Sequence, residues 1–366
     1  MSQTGIPCSV MRGGTSKGLV FSGGDLPLDP AARDALLLAA MGSPDVRQID
    51  GMGGAHPLTS KVAVVSPTER VDVDVEYLFL QVWPDRAEVS DGQNCGNMLA
   101  AVGPFAIESG LVQALDGVTP IRIWMTNTAT LATAYVLTPG GQVAYEGDAR
   151  IDGVPGTHAP LRIEFADIAG SSTGALLPTG DARDVIDGYD VTCIDNGMPV
   201  VCLRAGDFGL TGAESPGEIE ANREVASRIE AIRLVAGERM NLGDVRDRTV
   251  PKMSLLSAPA HGGSIGTRTF IPHRVHDAIG VLGAASVATA CLLPGSVAHD
   301  VVELRPSGVS EHVDVDVEHP SGFFTVGLDV REAEGAISID RVTLLRTARL
   351  LMRGEVYVPS SAMSRP

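Results

Sequence analysis

Basic residues, aromatic residues and long apolar runs are all scarce in this sequence. Its 28 Lys and Arg are outnumbered by 45 Asp and Glu, giving a formal net charge of −17, which argues against nucleic acid and anionic membranes as partners. Aromatic side chains make up only 4%, so aliphatic residues must fill the core. No uninterrupted apolar run reaches about 18 residues and no signal-peptide pattern opens the chain, so we expect a soluble, cytoplasmic protein.

Cysteine is also sparse, and its spacing excludes the common cysteine-rich sites. The five cysteines stand far apart, with no Cys-x-x-Cys pair and no Cys/His cluster of the zinc type. We therefore expect reduced thiols, no metal and no cofactor. Because the chain is acidic, an anionic substrate would need a local pocket of N–H groups and a few basic side chains.

One cysteine precedes an apolar segment that is predicted to be a helix. Residues 91–97 (DGQNCGN) are small or polar, and the run 98–107 is apolar on nearly all sides, which is typical of a helix buried inside a domain. Cys95 would stand at the start of this helix, where the helix dipole favours a thiolate. Chemistry on a small anion is one interpretation, and a buried structural cysteine is the commoner alternative.

Two glycine-rich segments precede this cysteine. Residues 11–18 (MRGGTSKG) combine two hydroxyls with two basic side chains, so an anion-binding loop and a simple turn are equally good interpretations. Residues 50–57 lead to Lys61, the first residue of an apolar strand. A lysine in that place can be desolvated and act as a general base, but the residues alone favour an exposed lysine at a strand end.

The second half of the chain echoes the first. Residues 278–293 form a second apolar run of small residues, and the string VDVDVE occurs at both 71–76 and 313–318. A sheet wrapped around each apolar helix would explain why neither helix has a polar face. Ser215 and Glu218 predict a capped helix that continues to about Met240. The pattern indicates two similar strand-rich domains.

Four motifs together resemble the PrpF family of isomerases: MRGGTSKG at 11–18, RQIDGMGG at 47–54, LTSK at 58–61 and GQNCGN at 92–97. The resemblance covers nearly the whole chain. It implies an α+β, diaminopimelate epimerase-like fold with two pseudo-symmetric domains, each a β-barrel-like sheet around a central apolar helix. The expected domains are 1–184, joined by the C-terminal strand 345–366, and 185–344, with the active site in the cleft between them.

The resemblance also implies the site residues. Lys61 and Cys95 would form the acid/base pair, and which of them is the base stays open. Related amino-acid epimerases carry a second catalytic cysteine eight residues after the arginine matched by Arg274. That position here would be Leu282, which disfavours stereoinversion by two thiols. The expected substrate-binding residues are Thr15, Ser16, Asn94, Gly96, Asn97, Arg274, Gly283 and Ala284.

The implied activity is that of a cofactor-independent isomerase or tautomerase. Its expected substrate is a small unsaturated tricarboxylate, 4-oxalomesaconate of aromatic-acid catabolism, and both keto–enol and 1,3-allylic proton transfer stay open. Isomerisation of aconitate or 2-methylaconitate is the nearest alternative. An amino-acid epimerase and a non-catalytic anion-binding protein are less favoured. A homodimer is one expected assembly.

Overall fold

A computed structural model describes residues 3–92, 94–304, 312–333 and 336–362. Gln93 of the DGQNCGN stretch, residues 1–2 and 363–366 at the ends of the expected first domain, and residues 305–311 and 334–335 of the expected second domain therefore lie outside the described residues. The strands are β1 (Gln3–Gly13), β2 (Ser16–Ser22), β3 (Lys61–Ser66), β4 (Val75–Val82), β5 (Val89–Ser90), β6 (Gly117–Met125), β7 (Thr130–Thr138), β8 (Leu161–Ala166), β9 (Asp184–Ile186), β10 (Tyr189–Asp195), β11 (Pro199–Arg204), β12 (Lys252–Ser257), β13 (Ile265–Phe270), β14 (His312–His319), β15 (Gly322–Ala333), β16 (Ala336–Arg346) and β17 (Ala348–Pro359). The helices are α1 (Pro30–Met41), α2 (Gly96–Glu108), α3 (Pro216–Ala221), α4 (Arg223–Arg239) and α5 (Val281–Leu292).

The chain divides into two compact units. The first comprises Met1–Glu164 together with Leu345–Pro366, and the second comprises Phe165–Leu344. The last strand, β17, pairs antiparallel with β1 along its whole length. The end of the chain therefore completes the first unit.

In the first unit a hairpin, a helix and three strands lead to the central helix α2. β1 and β2 form the hairpin, and β2 lies parallel to β3. Parallel neighbours need a crossover, which here contains α1. β3 is antiparallel to β4, and α2 lies between β4 and its parallel neighbour β6. The strand β6 then pairs with β7.

Local sequence explains both helices of the first unit. The Asp29 side chain accepts the Ala32 N–H and caps α1, Pro30 follows as the first helical residue, and Gly42 ends the helix with a φ of 75°. The central helix α2 is buried at every position from Met98 to Ala106. It packs against β1, β2, β3, β4, β7 and β17. Strands around much of the helix account for its lack of a polar face, as the sequence predicted.

The second unit repeats the order of the first. β10 and β11 form a hairpin, β11 lies parallel to β12, and β12 is antiparallel to β13. The central helix α5 is buried at all of its residues and precedes β14, which lies parallel to β13. β14, β15 and β16 continue as an antiparallel meander.

The helix expected from Ser215 to about Met240 is in fact two helices. Ser215 and Glu218 form the predicted capping box of α3. Asn222 then leaves the helical conformation, and its side chain accepts the Val225 N–H at 3.2 Å to cap α4. An asparagine provides this second start because its short side chain competes for backbone N–H groups. Among the helices of the described residues, none has the length and apolar character that a membrane crossing requires.

Candidate active site

Lys61 begins β3 and is buried, with 6% of its surface exposed. Its Nζ donates a hydrogen bond to Gln81 Oε1 at 2.8 Å and lies 5.0 Å from the centroid of the Phe79 ring. Within the described part of the chain, this amine has no carboxylate partner. The alternative of an exposed lysine at a strand end is therefore wrong. A buried amine that is held by a neutral amide is suited to taking and releasing a proton.

Gln81 is fixed in the orientation that presents its oxygen to Lys61. It lies directly opposite Lys61 on β4 and is 2% exposed. Its Nε2 donates to the carbonyl oxygens of Pro57 at 3.1 Å and Ser60 at 3.2 Å. Because the amide nitrogen can only donate, these carbonyls direct the amide oxygen to Lys61. A single glutamine in the otherwise apolar run 77–83 was the sequence signal for this contact.

The glycine-rich loop before Lys61 is organised by the buried side chain of Gln48. Its Oε1 accepts the Ser60 hydroxyl at 2.5 Å and the Ala55 N–H at 2.8 Å. A Cβ at Gly53 would lie 2.1 Å from Gln48 Cδ, so this position needs glycine. The loop therefore fixes Ser60, the residue that precedes Lys61.

Cys95 is the N-cap residue of α2 and is half-buried, whereas the other four cysteines are buried. Its N–H donates to Asn94 Oδ1 at 2.7 Å, and the Asn94 Nδ2 donates to Met125 Sδ at 2.7 Å. Asn94 thus positions Cys95 with both ends of its amide. The N–H groups of Gly96 and Asn97 lie in the first turn, where helix geometry gives them no partner inside the helix.

The β4 inner face, formed by Tyr77, Phe79 and Gln81, connects the two candidate groups. Side chains alternate along a strand, so these three residues project to the same side, and all are buried. Tyr77 donates its hydroxyl to the Cys95 carbonyl oxygen at 3.1 Å, and Phe79 and Gln81 contact Lys61. Burial raises the pKa of Tyr77 well above its ordinary value, and the nearby Cys95 adds to the shift. Tyr77 therefore stays a neutral donor.

Asn127, in the turn after β6, fastens β4 to the segment that leads to Cys95. Its side chain accepts the Phe79 N–H at 2.8 Å and donates to the Phe79 carbonyl at 2.9 Å and the Asp91 carbonyl at 2.8 Å. Sequence reasoning missed Asn127 and Tyr77. Neither residue carried a local signal, because each acts on a segment far away in the chain.

Thr15 lies in the turn between β1 and β2, beside the start of α2, and Ser16 is the first residue of β2. Asn97 Nδ2 donates to Thr15 Oγ1 at 3.0 Å. Gly14 has a φ of 51°, and a Cβ there would lie 2.3 Å from Asn97 Oδ1, so glycine is required for this approach. Ser16 is 1% exposed, and its Oγ has no hydrogen-bond partner among the described residues. A buried hydroxyl without a partner calls for an explanation.

The other expected binding residues lie near the start of α5 in the second unit. Arg274 is exposed, and within the described residues its side chain makes no hydrogen bond or ion pair. The N-cap of α5 is Gly280, so the counterpart of Cys95 is Gly280 and not Leu282. The Ala284 N–H donates to the Gly280 carbonyl at 2.8 Å and is therefore not available to a ligand, contrary to expectation. The Gly283 N–H lies in the first turn of α5, where helix geometry gives an N–H group no partner inside the helix.

Residues 3–359 match the family described as PrpF protein. The chain belongs to the PrpF family. It is 59% identical over 352 residues to the (4E)-oxalomesaconate Delta-isomerase of Novosphingobium sp. (strain KA1), covering 96% of this chain and 97% of that one. It is 56% identical over 366 residues to the 4-oxalomesaconate tautomerase of Pseudomonas putida (strain KT2440), covering 100% and 99%. The 2-methyl-aconitate isomerase of Shewanella oneidensis is 35% identical over 392 residues, covering 98% of each chain.

Solved structures confirm the fold expected for a PrpF protein. A methylitaconate-delta-isomerase has a TM-score of 0.84 at 34% identity, covering 100% of this chain and 98% of that one. A hydroxyproline epimerase from Agrobacterium vitis has a TM-score of 0.53 at 15% identity, covering 96% and 92%. The second likeness shows the fold alone. The α+β, epimerase-like fold that the motifs implied is therefore present.

Proposed function

We propose that this PrpF protein is an isomerase that moves a proton within 4-oxalomesaconate, with Lys61 and Cys95 as the acid/base pair. The observation that supports this best is the β4 inner face, along which both groups are held by buried side chains. The two relatives above 50% identity are named for the same acid. Fold alone would not give a substrate, since one fold hosts many activities.

Lys61 is the proposed base. In this step the amine takes a proton from a carbon next to the keto group, the electron pair moves into the conjugated system as a dienolate, and the amine becomes ammonium. The Gln81 oxygen accepts a hydrogen bond from either form of the amine. A base placed by a fixed partner at hydrogen-bond distance meets the geometric condition for general acid/base catalysis.

Cys95 is the proposed acid. Its S–H bond breaks as a new C–H bond forms at the far end of the allylic system, or an O–H bond forms in the keto–enol alternative. The sulfur is left as a thiolate at the positive end of α2, which stabilises it. Solvent then carries the proton from the Lys61 ammonium back to the thiolate, so the enzyme is unchanged after one turnover.

The substrate carboxylates need positive partial charges in a chain of net charge −17. The first-turn N–H groups of Gly96 and Asn97 supply them at the start of α2. The Ser16 hydroxyl is an additional donor that has no partner in the described chain, and Thr15 is held beside it. In the second unit, Arg274 and Gly283 are kept as proposed substrate-binding residues. Ala284 is not, because its N–H already donates to the Gly280 carbonyl.

Proton NMR in deuterium oxide tests the proposal. With 4-oxalomesaconate as substrate, the native protein should exchange a carbon-bound proton for deuterium and move the double bond. Lys61→Met should abolish both changes. Lys252→Met, which removes the buried lysine that begins β12, is the matched control and should keep them. Exchange at the native rate in Lys61→Met would overturn the assignment of the base.

The same assay separates the alternatives. Aconitate and 2-methylaconitate are tested beside 4-oxalomesaconate, since a relative at 35% identity is named for 2-methyl-aconitate. Faster turnover of either acid would move the proposal to that substrate. Binding without solvent exchange would support a non-catalytic anion-binding protein. The five cysteines are free, which agrees with the proposed cytoplasmic location, and cell fractionation checks that location. A homodimer is also proposed, and light scattering checks it.

A further inference from the structure

A short helix of the second unit contacts the segment that carries Arg274. Glu220, near the end of α3, accepts the Val275 N–H with its Oε1 at 2.8 Å. Val275 directly follows Arg274, the exposed arginine that is proposed to bind a substrate carboxylate. The motifs did not single out Glu220, because its partner lies 55 residues away in the chain.

The helix that carries Glu220 is itself firmly held. Its capping box fixes the first turn. Arg268, on β13, donates from its Nε to the Glu214 carbonyl at 2.6 Å, just before the helix begins. Ile219 is 0% exposed and belongs to the same apolar cluster as Val275. α3 is therefore a fixed support, from which Glu220 holds the amide of a residue whose side chain is already packed.

The Arg274 segment, residues 271–278, is held through its backbone and not through the guanidinium. The Ile271 N–H donates to the Arg274 carbonyl at 2.7 Å, and Ser321 Oγ donates to the Asp277 carbonyl at 2.7 Å. Within the described part of the chain, the Arg274 guanidinium makes no hydrogen bond or ion pair. A group whose backbone is fixed before binding loses less conformational entropy when it binds a ligand.

We propose that Glu220 is a positioning residue that fixes the backbone next to Arg274, so that the guanidinium meets a carboxylate of the substrate. The inference rests on the proposed binding role of Arg274. A carboxylate suits this task, because a hydrogen bond from a backbone N–H to an ionised acceptor is stronger than one to a neutral acceptor. Glu220 acts through Arg274, so its contribution is to substrate binding and not to proton transfer.

Steady-state kinetics with 4-oxalomesaconate test the proposal. Glu220→Leu removes the acceptor and should raise KM by roughly tenfold with little change in kcat, the pattern expected when ground-state and transition-state binding weaken equally. Glu220→Gln keeps an acceptor oxygen and should keep KM within about twofold of native. Glu238→Leu removes an exposed glutamate from α4. It is the matched control and should change neither constant.

A double-mutant cycle separates positioning from general structural support. Arg274→Gln alone should raise KM by at least roughly tenfold, the usual loss for a charge-assisted hydrogen bond. Adding Glu220→Leu to Arg274→Gln should raise KM no further. Two effects that multiply would indicate a merely structural role and overturn the proposal. A native KM in either single variant would also contradict it, and would leave the assignment of Lys61 untouched.

Amide hydrogen exchange at Val275 tests the contact without substrate. Because Glu220 is exposed, Glu220→Leu should fold, and its Val275 amide should exchange roughly tenfold faster than in the native protein. Glu220→Gln should exchange at close to the native rate. An unchanged rate in Glu220→Leu would show that the glutamate does not hold this segment. Failure of the native protein to turn over 4-oxalomesaconate would contradict the proposed function instead, and exchange alone would then decide whether Glu220 fixes the Arg274 segment.

Discussion

The two units carry a lysine at the same place in their topology. Lys61 begins β3 and Lys252 begins β12, and each of these strands lies parallel to the second strand of a hairpin and antiparallel to the strand that follows. The sequence contains only three lysines, the third being Lys17. Both units thus place a buried amine ahead of a central apolar helix. The lysines differ in their surroundings.

The two lysines have different neighbours, and the two central helices begin with different residues. Lys61 has Gln81 and Phe79 as partners, whereas Lys252 has Arg233 as a repelling neighbour. The central helix begins at a cysteine in one unit and at Gly280 in the other. The comparison teaches that the repeated architecture supplies burial and helix dipoles, while a few side chains at strand and helix starts distinguish the proposed site of the first unit.

Among the substitutions that compare the two units, removal of the Cys95 thiol should have the largest effect on turnover. Cys95→Ala should lower the turnover of 4-oxalomesaconate by roughly 10²–10⁴-fold, the usual contribution of a general acid or base. Cys291→Ala, which removes a buried thiol from the central helix of the second unit, should stay within about twofold, the expected result for a core side chain. Steady-state ultraviolet assays of both variants check this. Similar losses in the two variants would remove the distinction between the units.

The residue paired with each lysine provides the second test. A Cβ at Gly18 would lie 2.0 Å from the Lys61 carbonyl oxygen, whereas the second unit has Val200 opposite Lys252. Gly18→Ala should therefore displace Lys61 and lower turnover by about 10²-fold, as misplacement of a reacting group by an ångström can do.

Val200→Ala is the matched change in the second unit. It removes buried methyl groups and should lower the free energy of unfolding by on the order of 2 kcal/mol, with little effect on turnover. Urea unfolding and the ultraviolet assay measure the two effects separately. Full activity in Gly18→Ala would show that the close approach of β2 and β3 is not needed to place Lys61.

Much of the fold followed from the sequence because its signals are local. The capping residues Ser215 and Glu218 predicted the start of α3, and two apolar runs predicted the central helices. Other signals misled. The VDVDVE strings fall at non-equivalent places, since β4 precedes the central helix of its unit and β14 follows the central helix of the other. Strand alternation recurs in any half-exposed strand and therefore carries no information on equivalence.

The catalytic candidates were identified by motif, but their supports were not. Gln81 acts across neighbouring strands, and Tyr77 and Asn127 contact segments that lie 18 and 48 residues away in the sequence. Such contacts depend on strand register, which no local pattern specifies. The counterpart of Cys95 was placed at Leu282, two residues after the N-cap Gly280, because a spacing counted from Arg274 does not fix where the helix begins.

A carboxylate at position 81 should give Lys61 an ion-pair partner and leave less of its neutral amine to accept a proton. Gln81→Glu stabilises the ammonium form, so turnover at pH 7 should fall by roughly tenfold and recover as the pH is raised. The pH profile of kcat measures this. Gln81→Leu removes the hydrogen bond without adding charge and serves as the control. It should lower kcat without moving the pH profile of kcat to higher pH. An unchanged profile in Gln81→Glu would show that Lys61 is not the group whose deprotonation limits the rate.

Substitution of Lys252 should have the smallest effect on turnover. Its main effect should be on the stability of the folded protein. Burial, with repulsion from Arg233, lowers the pKa of Lys252 from 10.5 to about 8. Between these values the folded chain has lost the proton and the unfolded chain still binds it, so stability rises with pH in this window. Below pH 8 both states are protonated, and the folded state bears the full cost of the buried charge, about 3 kcal/mol for a shift of this size.

Lys252→Met should therefore be more stable than the native protein at pH 7, and this advantage should shrink by about 3 kcal/mol toward pH 10.5. Lys252→Arg cannot lose its proton and should not show the rise in stability. Urea unfolding at several pH values measures both variants, with deuterium exchange followed in parallel and expected to persist in Lys252→Met. Loss of exchange in a stably folded Lys252→Met would mean that the second lysine takes part in the reaction, and the two units would then be chemically more alike than their helix starts indicate.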